Sequence, residues 1–385
     1  MKSVELGEVV LDIRPDFAQD NPRNSEGAFY SLPDGSLIFA YSRFKGKSGA
    51  DWATSDICII RSDDGGRSFG APETILTCEG EDAVNIMSLS FLEMADGELG
   101  LFYLVRHTYT QLRMYLRRSA DGGRTWKERV LCMPYDGFFV VNNDRVTRLA
   151  DGRIVIPAAR HATTEGYFDS RSDTVFFYSD DDGKTWAQSD TKCSISQSTY
   201  CKSGLQEPGI LELYPGYLWG WARTDLGRQY EMFSHDNGVT WTAAEPSRFT
   251  GPCSPLSMKR DADNTIYAVW NPIPEYNGRT INEKFFDGGR SPFVLARSTD
   301  NARTFSEPVA FEVEEGRGYC YCAIHFTEDA MLLAYCAGGQ EDESCLARTV
   351  IRRVEKEQLT QVFTANERVI KIKSNKDNSI KGGTF

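Results

Sequence analysis

An eight-residue motif that returns at a near-constant interval constrains this 385-residue chain more than any other feature. Ser-x-Asp-x-Gly-x-Thr-Trp occurs at Ser119 to Trp126, Ser179 to Trp186 and Ser234 to Trp241. Two weaker copies flank these: Ser62 to Phe69 carries a different aromatic, and Ser298 to Phe305 also lacks the glycine. The third positions are Asp64, Asp121, Asp181, Asp236 and Asp300, spaced by 57, 60, 55 and 64 residues. A period of this length is the mark of an array of similar supersecondary units. Within the motif the Asp side chain accepts backbone amides, the Gly takes a positive φ and the aromatic covers the turn, which describes a hairpin clasp. An aspartate present in every unit cannot mark a single reaction centre, so these five read as scaffold.

A second punctuation falls between the motifs, at Asp34-Gly35, Asp96-Gly97, Asp151-Gly152, Pro215-Gly216, Asp263-Asn264 and Glu328-Asp329. Each is flanked by apolar or alternating runs, as in Asn85 to Met94 and Glu98 to Val105, which predicts strand, turn, strand. A third strand leads into each motif and a fourth leaves it, so each unit of about sixty residues is expected to be a four-stranded antiparallel sheet. Six turns imply six units. The predicted fold is all-β, a six-bladed β-propeller that hides its strand edges by closing into a ring. Val4 to Ile13 is expected to add a closing strand to the last blade, and helical periodicity is confined to Glu355 to Gln361. Residues 1–370 are expected to form this single domain, with 371–385, rich in lysine, as a solvated tail.

Charge narrows the partners. The formal net charge is −12, which disfavours binding to a phosphate backbone, so no nucleic acid is expected. No apolar run of signal-peptide or spanning length occurs in Met1 to Arg14, which predicts a cytoplasmic protein with no membrane partner. The ten cysteines are expected to be reduced and mostly buried. Cys320-x-Cys322 lacks companions at metal-ligand spacing, and neither a metal nor a cofactor is expected.

In a ring of such units the first hairpins and the motif turns share one face, and the strand starts and long connections share the other. Lys45 to Ser55, His161 to Ser172, Gln188 to Gly204 and Pro272 to Arg290 are the long connections, so function is expected on that second face. The polar residues interrupting strand ends there are Arg23, Glu26, Arg43, Asp51, Asp144, Arg145, Glu207, Arg223 and Arg290, with Tyr319 and Tyr321 opening the last unit. Several arginines and few lysines around a central funnel suit a planar carboxylate held by forked contacts, so the expected ligand is a small anion.

These residues and the repeat resemble the sialidase (neuraminidase) superfamily, whose hallmark is this Asp-box (BNR) motif on a six-bladed propeller. The resemblance places the family's first arginine at Arg23, in Pro22-Arg23-Asn24-Ser25, and its acid/base aspartate at Asp51, with Arg43 upstream. Glu207 and Arg223, sixteen residues apart, look like the family's glutamate and second arginine. Arg290 resembles the third, and Tyr321-Cys322-Ala323-Ile324 is similar to the stretch bearing the nucleophilic tyrosine. The family's glutamate behind the first arginine corresponds here to Cys336, after Tyr335, which leaves Glu26 as the replacement partner. That departure, with the distinct Asn142-Asn143-Asp144-Arg145 strand start, marks a divergent branch.

The resemblance implies a retaining exo-glycosidase acting on an acidic oligosaccharide or glycoconjugate. Arg23, Arg223 and Arg290 would clamp the carboxylate, Tyr321 would attack while its proton moves to Glu207, and Asp51 would serve as acid and then base. A neutral phenol avoids the repulsion that a carboxylate nucleophile would meet beside an anionic sugar. Two other readings stay open. A lyase on uronate glycans would use arginines and one of the pairs Arg106-His107 or Arg160-His161; a noncatalytic glycan-binding propeller would use the same funnel without turnover.

Overall fold

The computed structural model describes residues 3–274 and 289–365. The tail beyond residue 370 and most of the Pro272 to Arg290 connection lie outside the described residues. The chain is all-β, with four four-stranded sheets and one nine-stranded sheet.

Strand β1 (Glu8–Ile13) precedes the first unit, which holds β2 (Asn24–Ser31), β3 (Leu37–Phe44), β4 (Ser55–Ser62) and β5 (Glu73–Leu76). The second unit holds β6 (Asn85–Glu93), β7 (Leu99–Arg106), β8 (Leu112–Ser119) and β9 (Val130–Leu131). The third holds β10 (Phe138–Val140), β11 (Thr147–Arg148), β12 (Ile154–Thr164), β13 (Tyr167–Ser179) and β14 (Ala187–Gln188). The fourth holds β15 (Gln206–Tyr214), β16 (Tyr217–Arg223), β17 (Arg228–Ser234) and β18 (Glu245–Thr250). The fifth holds β19 (Ser257–Arg260), β20 (Ile266–Trp270), β21 (Phe293–Ser298) and β22 (Val309–Glu312). The sixth holds β23 (Cys320–Phe326), β24 (Ala330–Cys336) and β25 (Thr349–Glu355), and β1 pairs with β25 as its fourth strand.

Two details differ from the expected pattern. The second and third units run together into one sheet, because β10 pairs in parallel with β8 at Phe138 and Leu112 and antiparallel with β12. His161 to Ser172 is no loop: β12 and β13 continue through it as a long hairpin, turning between Thr164 and Tyr167.

Strands sandwiched between neighbouring sheets show no alternation of burial. All seven residues of β24, Ala-Met-Leu-Leu-Ala-Tyr-Cys, are buried, as expected where both faces meet apolar surface. The outer β18, by contrast, mixes exposed and buried positions.

The Asp-boxes explain how units dock. In each of the five, one Asp oxygen accepts backbone amides and the other accepts the Ser or Thr hydroxyl at 2.6 Å, while the leading Ser donates to the Asp. Each box then meets the preceding unit. Gly122 lies against Leu32, Gly183 against Leu116 and Gly238 against Val155, and Asn301 Nδ2 donates to the Leu213 carbonyl at 2.8 Å. The box of the first unit meets the last, with Gly66 against Leu332 and Arg67 paired to Asp329 at 2.9 Å. The sixth unit has no box. A helix from residue 356 through 365 follows it, and Lys356 pairs with Asp261 of the fifth unit's hairpin at 3.0 Å. Among the described residues no helix is long and apolar enough to cross a membrane.

Candidate active site

The inner strands carry a recurrent backbone irregularity. Pairing between the first two strands of a unit slips at Ser25/Ala28, Met87/Ser90, Gln206/Gly209 and Cys320/Ala323. Each slip is a bulge, and within it stands a non-glycine residue at positive φ: Glu26 (58°), Ser88 (56°), Glu207 (45°) and Tyr321 (55°). Asp144 (56°), just ahead of β11, adopts the same conformation in the third unit. A side chain held in the left-handed region costs of order 1–3 kcal/mol, and such strain concentrates at functional sites.

Tyr321 and Glu207 face each other across the molecule, the tyrosine hydroxyl donating to Glu207 Oε1 at 2.9 Å. Arg223 completes the group: Nη1 lies 2.9 Å from Glu207 Oε2 and donates to the Tyr321 hydroxyl at 3.3 Å. Gln206 Oε1 accepts from Arg223 Nε and Nη2 at 3.0 and 2.9 Å, which sets the guanidinium plane. Arg290 lies over the Tyr321 ring, with Cζ 5.4 Å from the centroid, and points Nη1 at Cys320 Sγ at 3.2 Å. Burial, then the Glu207 carboxylate, push the Tyr321 phenol well above its ordinary pKa, with Arg223 and Arg290 opposing. The phenol is therefore neutral at neutral pH.

Arg23 forms a second group with two acids. Its guanidinium bonds Glu26, donates to Asp51 Oδ1 at 2.6 Å and to Ser25 Oγ at 2.7 Å, and lies 4.4 Å from the Phe44 centroid. Ser88 donates to the other Glu26 oxygen at 2.5 Å. Burial lifts the Glu26 carboxyl above its ordinary value against the pull of Arg23. Desolvation raises Asp51 too, but Arg23, with Arg223 and Arg106 behind it, outweighs this and holds Asp51 below its usual value. The Asp51 side chain is 66% exposed, so it remains open to a ligand.

A cavity of about 350 Å³ joins the two groups, lined by Glu26, Asp51, Glu207 and Tyr321. The three arginines stand behind these residues rather than in the wall. Arg106 is the cation that lines the cavity directly, sandwiched between Tyr109 and Phe138 at 5.4 and 5.3 Å. Trp52, Tyr109 and Phe168, all exposed, form its mouth. Sequence reasoning missed Ser88, Gln206 and these aromatics, and named Arg106 only in the pair Arg106-His107 of the lyase reading. A usable signal existed, since Glu26, Ser88, Asp144, Glu207 and Tyr321 each lie seven or eight residues before their unit's hairpin dipeptide. In the fifth unit that position falls on Pro255, which cannot take positive φ.

Four predicted residues lie elsewhere. Arg43, on β3, is directed at the buried Cys58 of β4. Tyr319 is core: it is buried and stacks on Phe293 at 6.3 Å, because the bulge between Cys320 and Ala323 breaks the alternation that would otherwise put it on the same side as Tyr321. Asp144 and Arg145 line a different cavity, separated from the first by Asn143, whose Nδ2 donates to the Gly27 and Tyr321 carbonyls. Of the two Arg-His pairs, His107 is held by the Asp82 carbonyl and Tyr115, whereas buried His161 stacks on Phe168 at 4.9 Å, beside the cavity mouth. All ten cysteines are free, eight of them buried. Among the described residues no group of three or more His, Cys, Asp or Glu is arranged to hold a metal ion.

Comparison with known proteins agrees with this architecture. A family model described as a BNR repeat-like domain matches residues 47–333, so the chain belongs to that family and to the wider sialidase/BNR superfamily. It is similar to the Hadza microbial sialidase Hz136, with a TM-score of 0.69 and 17% identity over 91% of this chain and 68% of that one. A protein of unknown function from Dyadobacter fermentans gives 0.66 and 16% over 92% of this chain and 100% of that one. The NanB sialidase of Streptococcus pneumoniae gives 0.66 and 11% over 93% and 72%. At these identities the likeness is one of fold. Comparison with curated proteins returns no match.

Proposed function

We propose that the six units close into a six-bladed propeller, a single domain over 1–370, that acts as a sialidase-like exo-glycosidase on a terminal acidic sugar. The cyclic docking of boxes on preceding units, with the first box on the last unit, supports the ring. The hydrogen bond of 2.9 Å from Tyr321 to Glu207, with Arg223 at the same hydroxyl, is the observation that carries the activity. Glu207 is placed to take the phenolic proton as Tyr321 attacks the anomeric carbon, and Arg223 stabilises the developing negative charge. The covalent intermediate makes the reaction retaining.

Asp51 is the acid that protonates the leaving oxygen and then activates water. In the free protein it is ionised by its pairing with Arg23, a state unsuited to an acid. A substrate carboxylate arriving at Arg23 competes for that guanidinium, releases Asp51 and raises its pKa. Arg223 and Arg290 complete the carboxylate clamp, and Glu26 stands in for the acid that Cys336 does not provide.

The test is release of free sialic acid from a fluorogenic sialoside, with product anomer followed by NMR. The reading expects turnover that Tyr321→Phe abolishes and a product first released with retained configuration. On a panel that includes uronate glycans, an unsaturated product absorbing near the ultraviolet edge would replace it with the lyase, and glycan binding without turnover would replace it with a lectin-like role.

A further inference from the structure

The run Asn142-Asn143-Asp144-Arg145 passes from one cavity to another. Asn142 lines the Tyr321 cavity, Asn143 bridges β2 and β23, and Asp144 and Arg145 emerge in a second cavity of about 450 Å³. This volume lies within the range of small-molecule pockets.

Arg145 is 4% exposed, yet no carboxylate lies within ion-pair distance of it among the described residues. Its Nη2 donates to the Leu256 carbonyl at 2.7 Å, its Nε is buried without an acceptor, and its Nη1 has no protein partner. Arg260, also in the wall, meets only neutral acceptors: Asn301 Oδ1 at 2.7 Å and the carbonyls of Glu212 and Asn264. The acids nearby are already engaged. Asp144 accepts from Lys259 at 2.7 Å and from the Ile324 amide, and both Glu212 oxygens accept amides, of Ala150 and Gly216. Glu93 lies exposed at the rim and Arg148 is paired to Asp182. Among the described residues neither guanidinium thus has an ion pair within 4.0 Å, and Asp144 and Glu212 act on them only from a distance; one is almost wholly desolvated, a costly arrangement that an anion would relieve. Phe29, Phe91, Trp221 and Met258 supply an apolar part of the wall, which Thr147 and His325 interrupt.

We propose that this second cavity, separated from the Tyr321 cavity by Asn143, binds a small organic anion, a carboxylate or phosphate ester with an apolar body. The acidic group meets Arg145 and Arg260 and the body lies on the aromatic wall. The site stands whether or not Tyr321 is a nucleophile.

Titration calorimetry of the full chain with benzoate, phenyl phosphate and inorganic phosphate tests this. Binding of benzoate or phenyl phosphate is expected, the tighter one naming the acidic group, and inorganic phosphate is expected to bind more weakly. Arg145→Met should weaken binding by about tenfold or more, as for loss of a charged hydrogen-bond partner, and Arg260→Gln by several-fold. Arg223→Met, which disturbs only the Tyr321 cavity, should leave the component of binding that Arg145→Met and Arg260→Gln weaken unchanged. Should Arg145→Met fail to fold, Arg260→Gln and Lys259→Met carry the same test. Absence of binding, equal binding by inorganic phosphate, or loss in Arg223→Met with retention in Arg260→Gln would each overturn the proposal.

Discussion

The Asp-boxes and the inner-strand bulges are both repeats, and they differ in what repeats. In the boxes the residue recurs with the backbone: Asp64, Asp121, Asp181, Asp236 and Asp300 make the same local hydrogen bonds. In the bulges the backbone recurs while the residue changes, from Glu26 to Ser88, Asp144, Glu207 and Tyr321. A box aspartate has its hydrogen-bonding capacity satisfied by its own turn, so it stabilises one hairpin. A bulge side chain also takes partners from other units, as Tyr321 does from Glu207 and Glu26 from Ser88. The same geometry filled with different chemistry lets repeated units assemble one asymmetric site from similar parts.

This contrast is broken most sharply by exchanging effects between the two regions. Tyr321→Phe should lower kcat by about 10³-fold or more, and Glu207→Gln by about 10²–10⁴-fold, with thermal midpoints little changed, as read by the sialoside assay and calorimetry. If either instead unfolds the protein while activity per folded molecule persists, the bulges are scaffold. Asp121→Ala should do the reverse. It removes acceptors for the Arg124 and Thr125 amides and two hydroxyls, so urea unfolding should show a loss of about 1 kcal/mol, kept small by solvent exposure. Activity per folded molecule should stay at wild type.

Acid sharpens the comparison further. Hydroxyl donation from Thr185, with neighbouring amides, pushes the Asp181 carboxyl down to about 2, from an ordinary 3.8. A carboxyl depressed on folding contributes stability above the unfolded value, and that contribution is lost as pH falls through the folded one. Urea midpoints should therefore drop between about pH 4 and pH 2, less steeply in Asp181→Asn. The smallest effect concerns the degenerate fifth box. Ala302 holds φ at +65°, where the other boxes have glycine, so Ala302→Gly should stabilise by up to about 1 kcal/mol, offset by its buried methyl. A destabilisation would show that the methyl contact outweighs the backbone strain.

Much of the frame was legible because its causes are local. Box turns, hairpin dipeptides and the closing strand β1 each follow from residues close in sequence, and the helix at 356–365 was visible as a change of period. The site was legible in part, through polar residues at strand starts whose unit positions resembled a known family. Tyr319 and Tyr321 show the limit: two residues apart at the start of β23, one is core and the other faces the cavity, because the bulge at Tyr321 resets which side chain turns to the site. Arg145 shows it again, since Asn143 separates it from the Tyr321 cavity and it lines the second one.

The amino-acid order alone determined a repeating all-β chain with sixty-residue units, since turn chemistry and strand periodicity act over a few neighbouring residues. Only the tertiary structure decided which side chains meet. Tyr321 with Glu207, Arg23 with Asp51, and Arg145 without an ion pair among the described residues are outcomes of how the strands are brought together. Those distances depend on bulges and sheet packing that no single segment encodes.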